Sequence, residues 1–337
     1  MPEQPLTHAQ LVRRLKPRPA LKQADAHLHF EVPDLAHAPG VRVFPPPVAG
    51  TVVKQPSRRV AEARALEESG LDGYLPDHLP LNPLKPQMDK ELRRPAFFNP
   101  SATLKKGQHL ATTIFPPDQR YVFSDTSFPW CTTGRVDTGG GWGSGALVGP
   151  RHLLCASHMM TWNSDNTVNQ VTFTPSYFDG NAPFGNSGII HWYAYRKVVG
   201  PTVTDDDIEE DYVVLVLEQR LGDLCGWMGT RGYDDGWDGL TVWSHIGYPG
   251  DLTGGARPTF QGSIPIDSTS GSSSDEDLWH RADIWPGQSG GPFFAWFGSE
   301  PWPRACGVQS AQNPFTNSAG GGYYVSNLVN QARSDFA

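Results

Sequence analysis

Beyond about Thr112 the chain sets short apolar or aromatic runs between Gly, Pro, Asp and Asn. In order they are RYVFSD, TTGRVD, GSGALVG, HLLCAS, NQVTFTPSYF, IIHWYAYRKVVG, DYVVLVLE, TVWSHIGYP, TFQGSIPI, PFFAWF, ACGVQSA and YYVSNL. Runs this short and this rich in β-branched and aromatic residues predict about a dozen strands in an all-β barrel or sandwich pair. One helix is predicted in this part, at its very end over Ser326–Arg333. No internal repeat of fixed period appears.

Residues 1–110 read differently. They hold about half of the 31 prolines, and Pro45–Pro47 and PLNPLKP read as extended linker. Two short helices are predicted there. One is Ala9–Leu15, with Thr7 or His8 near its start; the other is Arg58–Ser69, where Val60, Ala63 and Leu66 keep helical spacing ahead of Gly70. The segment is expected to be a pro-region or an extended arm lying on the body that follows, not an independent domain. The expected division is 1–110 for this region and 111–337 for the body.

Composition narrows the choice. The chain has 337 residues, room for one large or two moderate domains with buried cores. No apolar run is long enough to span a bilayer, and the opening MPEQPLTHAQLVRRLKPRPALK lacks the apolar core of a secretory signal, so no membrane partner is expected. The net charge of −8 is uneven: residues 1–110 carry 16 Lys+Arg against 11 Asp+Glu, and residues 111–337 carry 11 against 24. Opposite charge should draw the two parts together, and the acidic larger part makes nucleic acid a poor partner. Cys131, Cys155, Cys225 and Cys306 lie far apart without metal-type spacing, so no zinc site is expected. They allow up to two disulfides or four buried thiols.

Three places carry candidate chemistry. In IWPGQSGGPFF, Ser289 sits among Gly287, Gly290 and Gly291 ahead of an apolar run. These glycines suit an ordinary turn, and equally suit a loop whose amides gather around a developing oxyanion. In GPRHLLCASHMM, His158 follows an apolar strand; most single histidines are merely packed residues. In DDDIEEDYVVLVLE, the acidic run reads most simply as a solvated loop, yet Asp211 ends it against the apolar strand Tyr212–Leu217, where water is scarce. Jointly, a serine hydroxyl needs an imidazole to take its proton, and the imidazole needs a carboxylate to orient it. His158, Asp211 and Ser289 occur in that order, each at a strand-to-loop junction.

ALVGPRHLLCASH, DYVVLVL and PGQSGGPFF together resemble the His, Asp and Ser segments of the trypsin/chymotrypsin-like serine proteases, in that fold's order. The resemblance covers roughly residues 115–337. It implies two six-stranded antiparallel β-barrels, at about 120–225 and 226–325, and a terminal helix over 326–334. It also implies an oxyanion hole from the amides of Gly287 and Ser289, and Ser310 supporting Asp211. HIGYPGD, FSDTSFPW and the glutamine of PGQSGGP are similar to the glutamyl-endopeptidase-like branch. Trypsin-like zymogens mature when a freed N-terminus pairs with an aspartate at the position of Gln288. Gln288 cannot form that ion pair, so activation is expected to involve the first third, by cleavage within about 95–118 or by displacement.

By the same resemblance the specificity pocket takes in Asp283, Ile284, Gln309, Ala311, Gln312 and Gly321. Asp283 stands where trypsin places its selector for Lys and Arg, but in the glutamyl branch the same acid is common without basic specificity and can be a hydrogen-bonded structural group. Ile284 and Gln309 replace that branch's Thr and His pair. Basic, acidic and neutral polar preferences all stay open, with the balance tilted away from Glu.

The expectation is therefore a monomeric serine endopeptidase acting on protein or peptide substrates, with no cofactor and no metal. A catalytically silent protease-like binder and a serine esterase are the alternatives. The relatives implied are mostly secreted, which conflicts with the missing signal, and no compartment follows. Asp25-x-His27-x-His29 superficially matches a metal strand but lacks further ligands. His152 reads as a turn residue, and the 11 tryptophans read mostly as core.

Overall fold

The computed structural model describes residues 3–19, 46–55, 70–89, 114–200, 203–272, 275–312 and 316–337. The helix predicted over 58–69, the Asp25/His27/His29 motif and residues 90–113 lie outside the described residues.

Six strands build the first barrel: β1 (Thr133–Asp137), β2 (Trp142–Gly149), β3 (His152–Cys155), β4 (Thr172–Pro175), β5 (Ile189–Ala194) and β6 (Val213–Leu217). They pair antiparallel in the order β5-β6-β3-β2-β1-β4. Phe173 of β4 exchanges backbone hydrogen bonds with Ser187, just ahead of β5, so the ends of the sheet meet. The alternation of a strand explains why β6 is apolar throughout. Val213, Leu215 and Leu217 join Leu147, Leu153, Phe173 and Trp192 in one core. Tyr212, Val214 and Val216 join Val148, Leu154 and the terminal helix in another.

The second barrel is a closed ring of six antiparallel strands: β7 (Thr241–Gly247), β8 (Thr259–Ser272), β9 (Asp275–His280), β10 (Pro292–Trp296), β11 (Pro303–Gln312) and β12 (Asn317–Gly321). Its pairing runs β7-β8-β9-β12-β11-β10 and back to β7. Ala146 of β2 in the first barrel packs with Ile246 of β7, Phe260 of β8 and Phe294 of β10 in the second, an apolar layer between the two.

Some elements differ from the sequence reading. YYVSNL is not a strand but opens the terminal helix, Tyr323–Asp335, whose buried Tyr324, Val325, Leu328, Val329 and Ala332 follow the helical period. The last strand is instead β12, NSAGG, which contains no β-branched or aromatic residue. It forms because small residues let backbones approach: a Cβ on Gly320 would stand 2.4 Å from Ile208 O, and one on Gly307 would stand 2.7 Å from Gly320 O. β9 carries Glu276 and Asp277, only 2% and 3% exposed, and so lacks an apolar signature. Part of the acidic run is a helical turn, Asp205–Ile208, capped by Thr204 with Asp207. All four cysteines are buried free thiols.

The described parts of the first third hydrogen-bond to both barrels. A helix at His8–Arg14, capped by Thr7 with Gln10, follows a contact from Leu6 N to Trp296 O at 2.7 Å. Thr51–Val52 runs parallel to β5. Leu71 exchanges hydrogen bonds with Thr230 and Tyr74 with Trp227, while Asp72 pairs with Arg304 at 2.7 Å. Leu6, Leu11, Leu15, Val48, Leu79 and Leu81 are buried in the same cluster as the first barrel's core.

Candidate active site

Strand register sets the site. Cys155, the end of β3, pairs with Val213, the start of β6. His158, three residues past Cys155, and Asp211, two residues before Val213, therefore emerge at the same end of the barrel. A short 3-10 turn, Ser157–Met159, holds the histidine. Ser157 Oγ donates to Arg196 O and accepts from Val198 N, and the Trp162 indole donates to Ser157 O and Val198 O.

Asp211 is fully buried. Its Oδ1 accepts from the His158 backbone N at 2.7 Å, and its Oδ2 lies 2.5 Å from His158 Nδ1. Ser310 Oγ donates to the same Oδ2 at 2.5 Å. A carboxylate with these partners fixes the proton on Nδ1 and leaves Nε2 as the basic nitrogen. Burial pulls the His158 pKa down, but the charge and hydrogen bond of Asp211 outweigh it and hold the pKa above the ordinary 6.5.

The second barrel supplies the serine by the same logic. Pro292, the start of β10, pairs with Val308 of β11, which places the turn before Pro292 beside Ser310. Gly290 N donates to Gln309 O at 2.8 Å and Gln309 N to Gly291 O at 2.9 Å. β2 of the first barrel reaches across: Ser144 N donates to Ser289 O at 2.8 Å, and Ser144 Oγ donates to Gly287 O at 2.8 Å. Gly287 has φ of +100°, open chiefly to glycine, and a Cβ there would meet Tyr248 O at 2.3 Å. A Cβ on Gly290 would come within 2.8 Å of Ala156 N and 2.9 Å of Met159 Sδ. The turn bearing half-exposed Ser289 thus packs directly on the residues that flank His158.

Among the other sequence candidates, Asp283 is buried, and its two oxygens accept from Phe115 N at 2.7 Å and Gln119 N at 2.8 Å. Its carboxylate thus binds backbone amides at both ends of the chain's own 115–119 segment. Ile284 lies in the second barrel's core. Gln309 is 1% exposed and donates from Nε2 to Ala311 O. Gly321 is buried in β12, and the side chain of Gln312 lies outside the described residues. His152 is buried against Ala332 O of the terminal helix, where burial and nearby Arg333 push its pKa down to about 4. Sequence reasoning missed Ser144 and Arg120, since neither stands in a motif that marks it. No group of three or more metal-binding side chains occurs among the described residues.

No family model matches the chain. A glutamyl endopeptidase of Bacillus licheniformis is 24% identical over 186 residues, 55% of this chain and 55% of that protein, so the match spans about half the relative's length. A solved Glu endopeptidase superposes with a TM-score of 0.52 at 17% identity, over 66% of this chain and 100% of its own. The fold is that of the chymotrypsin-like serine proteases. The protease Anisep from Arthrobacter nicotinovorans also aligns, at 20% identity over 61% of this chain and 97% of its own, with a TM-score of 0.45. In this chain the first barrel carries His158 and Asp211 and the second carries Ser289 and Ser310, and Ser144 joins the two at the Ser289 turn.

Proposed function

We propose that the protein is a serine endopeptidase. The observation that supports this best is the fully buried Asp211 held by His158 and Ser310, with the Ser289 turn packed on the residues either side of His158. Ser289 Oγ attacks the peptide carbonyl while His158 Nε2 takes its proton. The amides of Gly287 and Ser289 stabilise the oxyanion, and His158 then returns the proton to the leaving amine. Asp211 orients the imidazole and balances its charge. Water deacylates the enzyme by the reverse sequence.

Two of the proteins named above are glutamyl endopeptidases, but the pocket positions carry Ile284 and Gln309, which offer no cation to a substrate carboxylate. Both oxygens of Asp283 are engaged by backbone amides, which leaves it poorly placed to select Lys or Arg. We therefore read the preference as neutral polar. Profiling cleavage of a peptide library with the purified protein tests this. The expected result is turnover with neutral polar residues enriched before the cut bond, all of it lost in Ser289→Ala. Turnover of small esters but of no peptide would instead identify an esterase.

A further inference from the structure

We propose that Arg120 is a positioning residue for the catalytic serine turn, acting through Gln288; the inference deepens the serine endopeptidase reading and rests on it. Gln288 stands between the two residues whose amides would form the oxyanion hole. Its side chain is buried, 1% exposed. There its Oε1 accepts from Arg120 Nη1 at 2.8 Å and from Trp285 N at 2.9 Å.

Arg120 is itself tightly held. Its side chain is 1% exposed, and its guanidinium grips two carboxylates. Nη1 and Nη2 reach Asp251 at 3.2 and 2.5 Å, while Nε and Nη2 reach Asp118 at 3.2 and 3.1 Å. A planar guanidinium paired on two edges has little freedom to rotate, so the remaining Nη1–H is aimed at a fixed point. Gln288 Oε1 sits at that point. Gly247 closes the other side, where a Cβ would lie 2.9 Å from Gln288 Cα, Cβ and Cγ.

The strap that carries Arg120 is anchored as well. Asp283 receives the amides of Phe115 and Gln119, and Asp118 Oδ1 receives Arg120 N at 2.9 Å. From Asp283 through Arg120 to Gln288, the links are charge-assisted hydrogen bonds or backbone hydrogen bonds in a site that water barely enters. The consequence is that the 287–289 backbone is ordered by a cation from within the chain's own 114–120 strap. Any cut ahead of Phe115 leaves this device intact.

The test compares Gln288→Met, Gln288→Glu and Arg120→Met. Glutamate keeps both acceptor bonds; methionine fills the space and removes them. Gln288→Met leaves the Arg120–Asp pairs in place and is the informative variant should Arg120→Met, which strands two carboxylates, fail to fold. Labelling of Ser289 by a fluorophosphonate and turnover of the best library peptide are measured beside the thermal midpoint. The expected result is a kcat and labelling rate lower by roughly 10- to 100-fold in Gln288→Met, with KM unchanged and activity retained in Gln288→Glu. An active wild type with Gln288→Met turning over equally well overturns the role of Arg120 and leaves the protease reading standing. Equal damage in Gln288→Glu and Gln288→Met, with a shared fall in thermal midpoint, also overturns it, as a merely structural contact. A wild type that neither labels nor cleaves removes the protease reading, and this inference with it.

Discussion

The His158 imidazole titrates under two opposed influences, and their balance gives activity and stability opposite pH senses. Burial favours the neutral ring and Asp211 favours the charged one; Asp211 prevails and the pKa stands above 6.5. A general base must be neutral, so kcat/KM is expected to rise through an acid limb above the ordinary imidazole value. Asp211→Asn should move that limb to lower pH and cut kcat on the order of 10⁴-fold. The folded pKa being the higher one, His158 stabilises the fold fully below the unfolded pKa and loses that contribution as pH rises through the folded value. Thermal midpoints of wild type and Asp211→Asn across the same pH range check this; a wild-type advantage growing with pH in that window would contradict it. His158→Ala leaves a carboxylate buried without its imidazole, a loss of about 3–5 kcal/mol for such pairs, whereas Ser289→Ala removes only the hydroxyl of a half-buried residue. Chemical denaturation should therefore rank His158→Ala well below Ser289→Ala.

At the level of elements, Asp283 separates a pocket role from a scaffold role. Asp283→Asn turns one acceptor into a donor facing a backbone N–H. It is expected to cost about 1–3 kcal/mol and leave side-chain preference unchanged; a library profile altered at full stability would place the acid in the pocket instead. The strands that position His158 and Asp211 were legible, because HLLC and VVLVL are apolar on both faces, one face filling the barrel and the other meeting the terminal helix. β9 and β12 were not. β9 buries acidic side chains, and β12 is built of residues chosen for smallness, so neither shows the pattern that marks a strand. YYVSNL misled for the converse reason: aromatic and β-branched residues favour strands locally, and here their helical spacing and packing on β6 prevail. Arg120 and Ser144 act through distant partners, at separations of 168 and 143 residues, which local patterning does not register.

Across the whole molecule, the described parts of the first third behave as part of the barrels they touch. Six of its side chains lie in the first barrel's core cluster, each worth about 1.5–3 kcal/mol when fully buried, against a net domain stability of about 5–15 kcal/mol. A chain beginning at residue 111 is therefore expected to be insoluble or to lack a cooperative thermal transition, and a sharp transition near that of the full chain would contradict this. Composition showed that this region was proline-rich and oppositely charged, but its contacts depend on backbone bonds at Leu6, Leu71 and Tyr74 that no periodicity encodes. The central claim is that Ser289 is a nucleophile activated by His158 and Asp211. Titration of the full chain with a fluorophosphonate, followed by mass mapping, tests it most directly. One equivalent should be taken up at Ser289, and none in Ser289→Ala, His158→Ala or Asp211→Asn on the same timescale. A folded full chain that takes up no label at alkaline pH, or takes it up at another residue, would contradict the claim.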